Sequence, residues 1–189
     1  MPARRRPLKR RRRTALLLLG LGGLALLFLW QAPRLAQAAR VVRLLRSEPA
    51  RVLPVPVEGI SPGDLEETWG APRSGGRRHE GIDILAPRGA LVVSATPGLL
   101  VKKGWNNLGG WAVTVLGPGG ERHYYAHLEE FAPPEEGDWV DVGEVLGFVG
   151  DTGNAKGTPT HLHYGIYSLW GKAQDPYPRL APEGRRTRP

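Results

Sequence analysis

Residues 111–128, WAVTVLGPGGERHYYAHL, decide the fold. Two runs rich in β-branched and aromatic residues flank Gly117-Pro118-Gly119-Gly120, a composition that stops extended chain and lets it reverse. The reading is a β-hairpin, with Trp111 to Leu116 and Arg122 to Leu128 as its strands. Working outward, Leu91 to Ser94, Leu99 to Lys103 and Val145 to Val149 are further short runs bounded by glycine and proline, and no long helical period competes with them after Trp69. The expected class is all-β: a small antiparallel β-sheet domain. Residues 58–178, roughly 120 in number, suffice for one such domain with its own core.

Four of the five histidines fall in three short motifs on this framework: HEGID at 79–83, YAHL at 125–128 and HLH at 161–163. A catalytic zinc site takes three protein ligands from imidazole and carboxylate and leaves one tetrahedral position for water. His79, Asp83 and His163 would supply that set. In extended chain alternate side chains share a face, so His79 and Asp83 point one way, as do His161 and His163. Two neighbouring strands would then aim all four into one groove. His127 ends a third strand and would approach from the groove's floor or wall. His123 lies outside the motifs and reads as a bystander at the groove edge. Glu80 points away from His79 by the same alternation, to solvent or to a supporting role.

The motifs and their order resemble the lysostaphin-like zinc endopeptidases of the LytM group, which cut peptide bonds in bacterial peptidoglycan. The resemblance runs from about Trp69 to Tyr167 through RRHEGIDILAPRGALVVSATPG, YYAHL, GDWVDVGEVLGFVGDTGNAKGT and THLHYGIY. It implies a grooved domain of duplicated-hybrid, barrel-sandwich type, a Zn2+ cofactor held by His79, Asp83 and His163, and two non-ligand catalytic histidines, His127 and His161. A peptidoglycan peptide would be the substrate. Two positions depart from the pattern: Gly165 follows HLHY where the family often has an acidic residue, and Arg73 to Arg78 stand where some members carry a tyrosine. The rival reading is a catalytically silent cell-envelope module of this fold, one that binds or activates an amidase. Such relatives lose metal ligands, whereas here all five positions are filled.

The formal net charge is +8, yet Arg4, Arg5, Arg6, Lys9 and Arg10 to Arg13 account for eight of the 26 basic residues. The remaining 18 balance 18 acidic residues, so the body has none of the excess expected of a nucleic-acid binder. The basic run abuts an uncharged, leucine-rich stretch, Thr14 to Trp30, near the lower length for spanning a bilayer. That order keeps residues 1–13 in the cytoplasm and sends the rest across. The expectation is an uncleaved single-pass signal anchor at 14–30 in a bacterial cell membrane, with the domain on the extracytoplasmic side; Ala36-Gln37-Ala38 offers a cleavage site as the alternative. The absence of cysteine excludes disulfides, thiolate zinc sites and a lipidated cysteine anchor.

Residues 31–57 read as a juxtamembrane stalk, helical to about 46, and a linker broken by Pro49, Pro54 and Pro56. Ser61 to Glu67 suggests one capped helical turn. Gly150 to Gly157 lacks the lysine and following helix of a phosphate loop and reads as a wide turn beside the site. Residues 179–189 read as a disordered tail.

Overall fold

The computed structural model describes residues 30–182. Among these, nine strands form one antiparallel sheet: β1 (Ile82–Leu85), β2 (Leu91–Val93), β3 (Gly98–Asn106), β4 (Gly110–Leu116), β5 (Arg122–Phe131), β6 (Trp139–Val140), β7 (Val145–Val149), β8 (His161–Tyr167) and β9 (Ala173–Gln174). The hairpin of residues 111–128 forms as its sequence requires, closed by a 3-10 turn at Pro118–Gly120 in which Gly119 and Gly120 take φ of 66° and 76°. Left-handed backbone of this kind is open to glycine at little cost. The main path runs β1-β8-β5-β4-β3-β6, with β2 on β7 and β9 on β8.

β5 organises the sheet because its two halves have different partners. Arg122 to Ala126 pair with β8, and Leu128 to Phe131 pair with β7. His127 sits at the fork. One sheet face carries Tyr125, Tyr164, Ile82, Ile84, Leu162, Ile166, Val113 and Val115, all at most 1% exposed. Burying each such side chain contributes about 1.5–3 kcal/mol, which makes this face the core. The other face, with Asp83, His161, His163, Tyr124 and Thr114, floors an open groove.

Three expectations need correction. The prolines of 49–56 do not make a free linker: Leu53 and Val57 are 3% and 2% exposed in the core, Val57 bridges Val92, and the Leu53 N–H donates to the Arg179 carbonyl. The chain from residue 179 is not disordered throughout, since a short helix at Tyr177–Leu180 buries Leu180 to 1% and Ala181 follows at 2%. His123 is not at the groove edge. Its position on β5 has the parity of Tyr125, so it faces the core, fully buried, with Nδ1 2.7 Å from the Tyr164 hydroxyl.

Residues 30–46 are helical. The chain divides at Val42/Arg43 into two compact units, the second of which contains the sheet. Among the described residues no helix is long and apolar enough to cross a membrane; the stretch expected to do so, residues 14–30, lies almost wholly outside them. The Ser61 turn is present as a 3-10 turn at Pro62–Asp64, its Asp64 carboxylate accepting the Ser61 N–H at 2.9 Å.

Candidate metal centre and its groove

Asp83 on β1 and His163 on β8 are direct cross-strand partners, so their side chains rise side by side from one sheet face. His79, just before β1, completes a triangle. His79 Nε2 and His163 Nδ1 are 2.9 Å apart, and each is 3.0 Å from Asp83 Oδ1. Donors of a tetrahedral site with bonds of about 2.0–2.1 Å lie about 3.3 Å apart, so the triangle need open by only about 0.3–0.4 Å to accept a metal ion. The donor chemistry, two imidazoles and one carboxylate, suits zinc among other cations.

The surroundings set protonation as well as position. Thr68 serves twice: its carbonyl accepts the His79 Nδ1–H at 2.8 Å, which leaves Nε2 with a free lone pair, and its hydroxyl accepts the Asp83 N–H at 3.1 Å. Burial opposes ionisation of Asp83, but the neighbouring His163 and His79 imidazoles outweigh it and hold the carboxyl far below the usual range. Burial likewise lowers the His163 pKa, against the pull of Asp83. Asp83 is thus anionic and His163 favours its neutral form, the states a metal requires. The other carboxylate oxygen, Oδ2, pairs with the Arg73 guanidinium, which fixes the rotation of the carboxylate.

His127 reaches the groove by a backbone irregularity. By alternation it shares the parity of Tyr125 and would face the core. An extra residue in β5, between the pairs Val113↔Tyr125 and Trp111↔Leu128, together with a φ of 65° at His127, turns its ring to the other face. Its Nδ1–H donates to the Thr152 carbonyl at 2.8 Å, leaving Nε2 as an acceptor. Burial, reinforced by the nearby His163, lowers its pKa to about 4, so it is neutral near pH 7. His161 is held the same way, Nδ1–H to the Pro159 carbonyl at 2.8 Å, with Nε2 3.9 Å from Asp83 Oδ1. The His127 and His161 rings meet edge to face at 5.0 Å. Five sequence-selected side chains therefore converge: the triangle, and two oriented imidazoles beside it.

The groove, about 930 Å³, is also lined by Tyr124, Tyr167, Asn154 and Ala155. The wide turn expected at 150–157 supplies the last two and the Thr152 carbonyl. Glu80 is exposed at the groove's rim rather than turned away from it. Gly165, where an acidic residue is common in the resembled family, is closely packed: a β-carbon would meet the Tyr167 ring at 3.0 Å and the Glu80 carbonyl at 3.1 Å, so those neighbours would have to give by a few tenths of an ångström. Sequence reasoning did not find Thr68, Arg73, Tyr124 or Tyr167, because each acts through a cross-strand or loop contact that no local spacing encodes.

Fold and site together define an antiparallel β domain built round a groove with a metal-capable His-Asp-His triangle. The chain belongs to peptidase family M23, whose family model matches residues 77–176. It is 44% identical over 124 residues to the L-Ala--D-Glu endopeptidase of Bacillus subtilis (strain 168), covering 60% of this chain and 38% of that protein. The lytM protein of Ruminococcus gnavus ATCC 29149 superposes with a TM-score of 0.59 at 33% identity, over 76% of this chain and 63% of that one. The catalytic domain of lysostaphin from Staphylococcus simulans superposes with a TM-score of 0.55 at 30% identity, over 62% and 92%. The chain spans about a fifth to two fifths of the length of the curated relatives it matches.

Proposed function

We propose that this chain is a zinc-dependent endopeptidase that hydrolyses peptide cross-links of bacterial peptidoglycan. The observation that carries the reading is the His79–Asp83–His163 triangle with two oriented imidazoles beside it, in a groove open to a peptide. Its relatives' names, an L-Ala--D-Glu endopeptidase and lysostaphin, point to the same substrate class.

His79 through Nε2, His163 through Nδ1 and Asp83 through Oδ1 would hold the ion. Zinc bound there supplies Lewis acidity, which lowers the pKa of water and polarises a carbonyl. His127 or His161, both with Nδ1–H tied to a carbonyl, presents its Nε2 to accept the proton of the attacking water. The same pair, once protonated, hydrogen-bonds the developing oxyanion or returns the proton to the leaving amine. Arg73 holds the Asp83 carboxylate in place. Incubation of the zinc-loaded protein with defined muropeptides, read by mass spectrometry, tests the proposal; intact peptides at full zinc occupancy would sink it and favour a silent binding module.

The basic run before Thr14 to Trp30 supports a single-pass anchor that places the domain outside the cytoplasm. Protease added to spheroplasts should then digest the domain, and high salt should leave the protein in the membrane fraction. Protection or free solubility would overturn that placement.

A further inference from the structure

The groove segregates charge in a way the rest of the body does not. Beyond the first 13 residues basic and acidic groups balance, yet the groove is lined by Arg73, Arg77, Arg78, Lys102 and Arg122 against only Glu80 and Asp83. Asp83 is already engaged by Arg73 and the two imidazoles. Four cations therefore face a single uncommitted carboxylate, and a groove of this kind attracts an anionic occupant.

Arg122 is the member of this set whose state most needs a partner. It is half-buried on β5 opposite Tyr167, its Nε is enclosed without a hydrogen-bond partner, and it forms no ion pair among the described residues. Its neighbour Glu121 does not serve, because alternation puts Glu121 on the other face, where Arg179 takes both its oxygens at 3.0 and 2.8 Å. A carboxylate entering the groove would meet the remaining guanidinium N–H groups through paired, charge-assisted hydrogen bonds. Lys102, exposed on β3 in the row of Thr114 and Tyr124, adds a second positive charge across the same floor and also has no ion pair among the described residues.

Position relates this pair to the centre. Ala126 lies opposite His163, and Arg122 is four residues back along β5, about 13 Å at 3.3 Å per residue. A peptide laid in the groove covers that distance in about four residues. We propose that Arg122, with Lys102, is a recognition site for a carboxylate of the peptide, so that this chain prefers acidic stem peptides over uncharged glycine bridges. The substrate class rests on the endopeptidase reading; the carboxylate site itself rests on the groove's charge and on Arg122.

The test uses the zinc-loaded full chain in detergent with L-Ala-γ-D-Glu-L-Lys-D-Ala-D-Ala, its D-Glu α-amide, its C-terminal amide, and pentaglycine blocked at both ends (N-acetyl, C-terminal amide). Binding is measured on the His161→Ala background and cleavage on the otherwise unaltered chain. We expect one of the two amides, and pentaglycine, to bind at least tenfold more weakly than the free acid; the amide that does so identifies which carboxylate is read. Arg122→Gln should bring free acid and that amide within twofold, Arg122→Lys should restore part of the difference, and Lys102→Gln, at an exposed site where folding is not at stake, should reduce it. Equal binding of all the peptides, or an Arg122→Gln loss equal for acid and amides, would overturn the site. Binding that depends on Arg122 without cleavage in any arm would instead remove the hydrolase reading and leave the site standing.

Discussion

Gly81 lies flat against the imidazole of His163: a β-carbon at position 81 would meet its Cε1 at 2.7 Å and Nε2 at 2.9 Å, and the Tyr164 carbonyl at 2.6 Å. The glycine of HEGID is therefore a condition for the metal centre, because any side chain there pushes a ligand off the triangle. Gly81→Ala should weaken zinc binding by about 10- to 100-fold, the scale seen when a ligand's supports are disturbed. Competition against a chromophoric chelator measures this; unchanged affinity would show that β1 and β8 can part without moving His163.

Ligands and catalysts should separate by metal content. His163→Ala and Asp83→Ala should lose the ion, since two remaining donors hold zinc poorly. His127→Ala and His161→Ala should keep it at full stoichiometry and lose on the order of a hundredfold or more in turnover. Elemental analysis beside a muropeptide assay reads both, and zinc loss in either of the second pair would mean the coordination sphere was drawn wrongly.

The legible part of this protein was the part written in period two. His79, Asp83, His161 and His163 share a groove because strand alternation puts them there, and β7 runs from Val145 to Val149 as its sequence suggested. Alternation misplaces His127, whose arrival depends on an extra residue at a strand fork, whereas the same alternation along β5 gives His123 core parity with Tyr125. Pro49, Pro54 and Pro56 suggest a linker because proline stops a helix, and the proline- and arginine-rich C-terminal residues suggest a solvated end. Leu53, Val57 and Leu180 are buried by partners far away in sequence, and no local pattern reports that.

Acid should destabilise the metal-free protein well above the carboxylate range. Burial lowers the His127 pKa from an ordinary 6.5 to about 4, and lowers that of His123 too. Above pH 6.5 folded and unfolded states are both neutral at these positions and no penalty arises. Below it the unfolded chain binds protons the folded one refuses, so stability falls as pH drops from 6.5 toward 4, by on the order of 2 kcal/mol at pH 5 from His127 alone. Urea midpoints of EDTA-stripped protein at pH 7.5 and 5.0 check this. His127→Gln should shrink the difference, and identical midpoints in the parent protein would refute it.

Arg179 ties three distant pieces of chain together. Its Nη1 donates to both oxygens of Glu121 at 3.0 and 2.8 Å, and its Nη2 donates to the Ala50 carbonyl at 2.6 Å, so the C-terminal helix, the start of β5 and the Pro-rich segment share one guanidinium. Glu121 is only 6% exposed. Removing Arg179 strands a buried carboxylate, a change that costs about 3–5 kcal/mol, whereas removing both charges together costs less because nothing is left unpaired. Arg179→Met should therefore lower the urea midpoint more than the Arg179→Met/Glu121→Gln double variant does. Leu180→Ala, which empties a core position beside it, should cost about 2–4 kcal/mol by cavity formation. Chain ending at Pro178 should be less stable than any of these, since it loses the ion pair, the Leu53 hydrogen bond and the Leu180 side chain at once. A truncated protein as stable as the parent would mean that the last turn decorates the domain rather than closing its core.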